Sequence, residues 1–293
     1  ITLPKRMVGK RASASLNIHD LSFGLSGSSV VGDIDTMFEL MWLRATAPRI
    51  DTDVFKRYKK QAVEGLRNRH LDPSTAFFDT YSQVLWQNHF RKQPMSQTRI
   101  DQLDLQKARD YLKAVTSDWT GTTFVFVGKL DLKALKPKIE KWVGGLPTDG
   151  SRKPAFKDVG IRAAEGVHRR VVYRGIEPKA QVRIRFSGDF KSVPRERYAL
   201  RSLGRVLSMR LREVLREEKG GTYSARASVS LAHTPHQAYG ITIKFTCEPG
   251  RVEELTKATY EIVEEVKSKP VDESYTTKIS AQQARADEVE KRR

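Results

Sequence analysis

The sequence predicts an α+β fold built from two related units, each an antiparallel or mixed sheet packed against helices, the first over residues 1–150 and the second over 161–293. Three observations lead to it. Apolar residues alternate in short runs and recur every three or four positions in longer ones, so strands and amphipathic helices are interspersed along the chain. Gly144-Gly145-Leu146-Pro147 and the Lys/Asp/Gly-rich stretch that follows to about Gly160 have the composition of a linker. A strand, a tight turn and an amphipathic helix follow one another over Thr122–Val143 and again over Tyr239–Val266, a faint internal echo on either side of that linker.

Residues 11–29 alternate well enough for two strands, Ala12–Ile18 and Leu21–Leu25, with a Gly/Ser turn at Ser26-Gly27-Ser28-Ser29. Ile34–Ala45 reads as a helix with Asp33 or Asp35 near its start and Pro48 as its stop. Thr52 to about Asn68 follows as a second helix, with Phe55, Tyr58, Ala62 and Leu66 on one stripe. Pro73 opens a third, carrying Phe77, Tyr81 and Leu85, and Leu105–Val115 is a fourth. Thr122–Val127 is a short apolar strand, and Leu130–Val143 a helix that turns Leu132, Leu135, Ile139 and Trp142 inward. Beyond the linker, Val167–Tyr173 and Gln181–Phe186 read as strands. Arg183 and Arg185 alternate with Val182, Ile184 and Phe186, which leaves one strand face wet. Glu196–Glu218 is a long helix, Thr222–Leu231 and Tyr239–Thr246 are strands, Val252–Val266 is a helix, and a charged helix runs on from Asp272. A start at Ile1 without Met and an uncapped, polar end at Arg293 suggest a piece cut from a longer protein, with early strands missing before the first unit.

Composition narrows the functional classes. The single cysteine, Cys247, excludes an intrachain disulfide framework and any multi-cysteine metal cluster. A hydrophobic share of 39% excludes global disorder. The 53 Lys+Arg against 35 Asp+Glu leave a net charge of +18, a field that attracts anions, nucleic acid and anionic surfaces. The excess is spread along the chain, with no block of five like charges. Apolar runs such as Phe124-Val125-Phe126-Val127 are too short to span a bilayer.

Zinc chemistry needs three protein ligands at workable spacing and an open position. None of His19, His70, His89, His168, His233 and His236 lies in a helical ligand pattern, and His233-Thr234-Pro235-His236 reads as the polar tip of a hairpin. No cofactor is therefore expected in this chain: phosphate-binding glycine loops and a Gly-x-Ser-x-Gly elbow are absent as well. Cys247 continues the alternation of Ile241, Ile243 and Phe245, as a buried structural thiol does. The informative stretch is Leu211 to Tyr223. An amphipathic helix there ends in Gly220-Gly221 and turns into a strand, which sets the Arg216 guanidinium beside the Tyr223 phenol, two strong hydrogen-bond donors. The plainer reading pairs Arg216 with Glu213 or Glu217 on a solvated face and half-buries the Tyr223 ring.

The run Leu215-Arg216-Glu217-Glu218-Lys219-Gly220-Gly221-Thr222-Tyr223-Ser224, with Phe245-Thr246-Cys247-Glu248-Pro249 after it, resembles the pitrilysin/insulinase family of zinc metallopeptidases, C-terminal half. Ser26-Gly27-Ser28-Ser29, Thr46-Ala47-Pro48-Arg49, Asn68-Arg69-His70, Phe124-Val125-Phe126-Val127-Gly128 and Gly145-Leu146-Pro147 agree, in order, over nearly the whole chain. The resemblance implies half of a clam shell, whose 1–150 and 161–293 units are the third and fourth domains of the parent. It implies that zinc and a catalytic glutamate come from an N-terminal catalytic half through a His-x-x-Glu-His motif missing here. It also implies that Arg216 and Tyr223 face that zinc and donate to the carbonyl of a peptide substrate. The partner is then the N-terminal half of the same chain or a separate subunit, and the compartment the periplasm, with the cytoplasm as the alternative. The rival reading is a basic module for nucleic acid or another polyanion, motivated by the charge of +18; the implied family has no specific nucleic-acid partner and no membrane span.

Overall fold

The computed structural model describes residues 3–69, 71–153 and 155–291. His70, counted above both as a candidate ligand and as a motif residue, lies outside the described residues, as do the termini Ile1 and Arg293. The chain divides into two compact units, Ile1–Asp79 with Arg91–Val159, and Thr80–Phe90 with Gly160–Arg293. The architecture is α+β in both, helices with small antiparallel sheets, as the alternation of periods implies.

In the first unit, β1 (Ala12–Ile18) and β2 (Phe23–Ser29) form an antiparallel hairpin that pairs Ala12 with Ser29 and Ile18 with Phe23. The turn is at His19–Ser22, where the His19 N–H donates to Ser22 O at 2.7 Å. Ser26-Gly27-Ser28-Ser29 is thus strand and not turn, and β2 lies later than Leu21–Leu25. The glycine serves packing instead. A Cβ on Gly27 would sit 2.9 Å from both Met37 Cγ and Met41 Sδ, so the missing side chain lets α1 (Ile34–Thr46) approach the hairpin. Met37, Phe38 and Met41 from α1 bury themselves with Leu135 of α5 (Leu132–Trp142). Between them in sequence come α2 (Thr52–Arg69), α3 (Pro73–Leu85), whose residues from Thr80 on belong to the second unit, and α4 (Leu105–Thr116). Asp104 and Asp131 set two helix starts, their carboxylates accepting from Lys107 N and from Lys133 N and Ala134 N.

The stretch Thr122–Val127, expected as a strand, forms no ladder with any described residue. Its alternation is real, with Phe124 and Phe126 packed on the core and Val125 and Val127 79% and 86% exposed. A strand needs a partner edge, and periodicity reports only the side-chain pattern.

The segment that reads as a linker is partly tied down. Asp118 is buried, and its carboxylate accepts from the Thr120 hydroxyl (2.6 Å), Thr120 N (2.8 Å) and Arg152 N (2.8 Å). The Arg152 guanidinium donates to Val115 O and Ala114 O and lies 4.6 Å over the Phe23 ring. Composition marks Gly and Lys as loop-formers but does not show which carboxylate will gather their backbone.

In the second unit, β3 (Ala180–Asp189), β4 (Ala225–Ala232) and β5 (Ala238–Cys247) form an antiparallel sheet in the order β3-β5-β4. Val167–Tyr173, also expected as a strand, lies outside any ladder among the described residues, with Val167 98% exposed. On one face of the sheet Ala225, Ala227, Ile241, Ile243 and Phe245 meet α6 (Pro194–Leu211) and α7 (Val252–Ser268) through Leu207, Leu211, Leu255 and Ile262. Each fully buried leucine contributes roughly 1.5–3 kcal/mol. Cys247 is buried here, and desolvation raises its pKa, as befits a structural thiol.

The opposite face is less wet than alternation alone suggests. Arg183 and Arg185 are half-buried, because Arg183 stacks 4.8 Å from the Tyr81 ring and Arg185 donates to Thr242 Oγ1 and Ser230 Oγ. The chain ends in α8 (Glu273–Lys291), docked by buried Ile279 and by the Tyr275 hydroxyl, which donates to Glu213. Arg210 ties the same group together, at 3.2 Å from Glu213 and 2.7 Å from Glu265.

Hydrogen bonds to its ionised form, that of the Thr120 hydroxyl foremost, hold the Asp118 pKa below the ordinary carboxylate range. The group therefore stabilises the fold fully above its unfolded pKa, about 3.9, and loses that contribution as pH falls through the lower folded value. Asp118→Asn should lower the melting temperature clearly at pH 7, and the difference from wild type should shrink steadily on titration toward pH 2, as read by thermal denaturation.

Candidate functional site

The site is the passage from α6 to β4. After Leu211 the helix widens into a π-helix over Arg212–Glu218, shown by Lys219 N donating to Val214 O five residues back at 3.0 Å. The expected single helix Glu196–Glu218 is thus two kinds of helix, and the change of pitch falls over the stretch that carries the candidate residue Arg216. Widened helical turns are frequent at such sites, and local sequence gives little sign of them. The wider turn keeps Leu215 fully buried while Arg216 stands exposed.

Two glycines then end the helix for different reasons. Gly220 adopts φ +57°, the left-handed conformation that carries the chain out of a helix. Gly221 sits where a Cβ would be 2.7 Å from Leu255 Cδ2 and 3.2 Å from Arg251 Cζ, and its N–H donates to Leu215 O at 3.0 Å. From the start of α7, Arg251 donates to Lys219 O (3.1 Å) and pairs with Glu254 at 3.0 Å, and Lys219 pairs with Glu254 at 3.5 Å. The Arg251 guanidinium, first by hydrogen bonding and then by its charge, holds the Glu254 pKa below its usual value. Thr222 is buried and exchanges hydrogen bonds with Ser224, which leaves Tyr223 facing solvent, 96% exposed.

Both residues expected from the sequence are thus presented to solvent on a clamped backbone, and neither has a hydrogen-bond or ion-pair partner among the described residues. The plainer reading does not hold. Glu213 is engaged by Arg210 and Tyr275, Arg216 pairs with neither Glu213 nor Glu217, and the Tyr223 ring is not half-buried. What sequence reasoning missed is the Arg251–Glu254 clamp, some 30 residues downstream. Its one local sign was the second glycine, which the left-handed turn alone does not require.

The donor set does not fit zinc. Among the described residues no three His, Cys, Asp or Glu side chains converge. His236, at the hairpin between β4 and β5, takes Asp189 as its partner at 2.7 Å, and His168 bonds Glu165 O.

The fold is α+β in both units, and among the described residues no metal-ligand set converges. Residues 102–282, more than half of the chain, match the family described as the Peptidase M16 inactive domain, and the chain belongs to that family. The resemblance carried by Leu215–Ser224 and Phe245–Pro249 is borne out. The protein named probable zinc protease PqqL of Haemophilus influenzae is 22% identical over 267 residues, covering 91% of this chain and 28% of that protein. The zinc protease PQQL-like of Arabidopsis thaliana is 24% identical over 269 residues, covering 87% of this chain and 28% of that one. The crystal structure of the periplasmic protease PqqL from Escherichia coli has the same fold, with TM-score 0.85 at 21% identity over 99% of this chain and 32% of that chain. The chain therefore spans less than a third of these relatives. No helix among the described residues is long and apolar enough to cross a membrane.

Two outcomes follow from this geometry. Gly221→Ala should cost about 1–3 kcal/mol by overpacking against Leu255, measured by denaturant unfolding, whereas Gly250→Ala, which meets open space, should cost far less. Metal analysis of the purified, chelator-washed chain should find well under one zinc per molecule.

Proposed function

We propose that this chain is the C-terminal, non-proteolytic half of a zinc metalloendopeptidase. It helps to enclose a peptide substrate with a zinc-bearing N-terminal half, in the same polypeptide or in a partner subunit. The observation that carries this reading is the pair Arg216 and Tyr223, solvent-facing and unpartnered on a backbone fixed by Gly221 and Arg251. Family membership and relatives more than three times as long support the missing half. The periplasm is the compartment this reading favours, supported by the periplasmic relative from Escherichia coli.

Chemically, Arg216 offers a planar fork of N–H donors and Tyr223 one O–H. Both would donate to the scissile carbonyl oxygen or its neighbour, binding it more tightly as negative charge grows there. A donor already satisfied within the fold would have to break that bond first. These two have none to break.

In the enzyme that carries both halves, Tyr223→Phe should lower kcat and kcat/KM together by roughly 10²–10³-fold, since the ring is kept and only a donor is lost. Arg216→Lys should fail in the same way, because an ammonium does not reproduce the fork. Steady-state peptide hydrolysis measures both, and wild-type turnover in the Tyr223→Phe enzyme would remove the carbonyl-donor role.

A further inference from the structure

Away from Arg216 and Tyr223, α6 carries a stripe of cations unpaired among the described residues. Arg197, Arg201 and Arg205 follow at four-residue spacing on one helix face, and Arg212 continues them into the π-helix. None of the four guanidinium groups has a hydrogen-bond or ion-pair partner among the described residues. Like charges one helical turn apart are unfavourable in isolated helices. The fold bears that cost along a groove. Arg201 and Arg205 line two adjoining cavities of about 630 and 520 Å³. The larger also takes in Arg212 and Lys278, with Ala227 and Val229 of β4 as its apolar floor, and the smaller takes in Arg197. Of the two carboxylates at the larger cavity, Glu213 is already held by Arg210 and Tyr275, which leaves only Glu217 against four cations.

We propose that this groove binds an extended acidic polypeptide segment, whose Asp and Glu side chains pair with Arg197, Arg201, Arg205 and Arg212. From Arg197 to Arg212 the helix rises about 22 Å, the length of six or seven extended residues at about 3.4 Å each. That exceeds what one phosphate or nucleotide can bridge. Single-stranded nucleic acid has the reach, but its binding sites set stacking aromatics among the cations, and Tyr198 is the one aromatic among the described residues lining either cavity. The apolar floor suits peptide methylenes. The proposal concerns binding by this chain alone and stands or falls separately from the carbonyl-donor role of Arg216 and Tyr223.

The test titrates the 293-residue chain with a fluorescein-labelled octaglutamate peptide, followed by anisotropy at low and physiological salt. R201E/R205E is compared with K56E/R57E, which makes the same change in net charge on exposed residues of α2. The expected result is saturable binding that R201E/R205E weakens about tenfold or more, that K56E/R57E changes less than about twofold, and that unlabelled dT8 displaces less well than octaglutamate. Thermal melting checks that each variant is folded. If R201E/R205E fails that check, R201Q/R205Q replaces it, with a loss of several-fold expected. Equal losses in both charge-matched variants would mean a diffuse field and would overturn the proposal. So would no loss in the groove variant, and so would stronger displacement by dT8, which would assign the groove to nucleic acid.

Discussion

Gly221 lies against Leu255 with no room for a side chain between them, and much of the second unit follows from that contact. Leu255 is itself fully buried with Leu211, Leu215 and Ile243, so the glycine is held against the centre of the core rather than against a loose edge. With Gly221 there, the π-helix must end within a residue or two of Glu218, and β4 must begin soon after Thr222. Arg251 reaches Lys219 O from the start of α7 and covers the same turn, so helix end, strand start and following helix share one small region. Arg216 and Tyr223 inherit their placement from it.

The elements most legible in the sequence are those whose physics is local. The helix expected from Leu105 begins there because Asp104 caps it, whereas the helix expected from Leu130 begins two residues later, at Leu132, because Asp131 is its cap, and Leu132 faces out rather than in. The hairpin at His233–His236 and the burial of Cys247 follow from alternation on either side. The elements that differ are those whose physics is not local. Phe124 and Phe126 alternate as a strand does, yet ladder bonds depend on a partner that periodicity does not specify. Gly27 and its serines look like turn residues, but the glycine is there for Met37 and Met41, 10 and 14 residues on. The π-helix has no compositional mark.

Of the site itself, the double glycine and the seven-residue separation of Arg216 and Tyr223 were visible in the chain, while the role proposed for them came from resemblance to a family. Their freedom from internal partners was not legible in either way. It depends on Glu213 being engaged by Arg210 and Tyr275, groups that approach from two helices. The net charge of +18 said that anions are attracted without saying where. The fold answers in part. Arg210 and Arg251 are paired within networks, Arg152 caps carbonyls, and Arg185 bonds hydroxyls across the sheet, whereas Arg197, Arg201, Arg205 and Arg212 line cavities with their guanidinium groups unpaired among the described residues.

The exposure of Tyr223 has a consequence for timing. A phenol surrounded by water keeps its rotamers, and so does the Arg216 fork on the last helical turns. The backbone beneath them is ordered during folding, but the side chains are not. Under the role proposed for them, their ordering cost, roughly 0.5–1.5 kcal/mol for each side chain that a binding event immobilises, falls due only when a substrate is enclosed. On that proposal, such a half would make no oriented pair of donors while it stands open. Recognition of the peptide bond and assembly of the groups that recognise it then become one event, and the commitment to a substrate is deferred to closure.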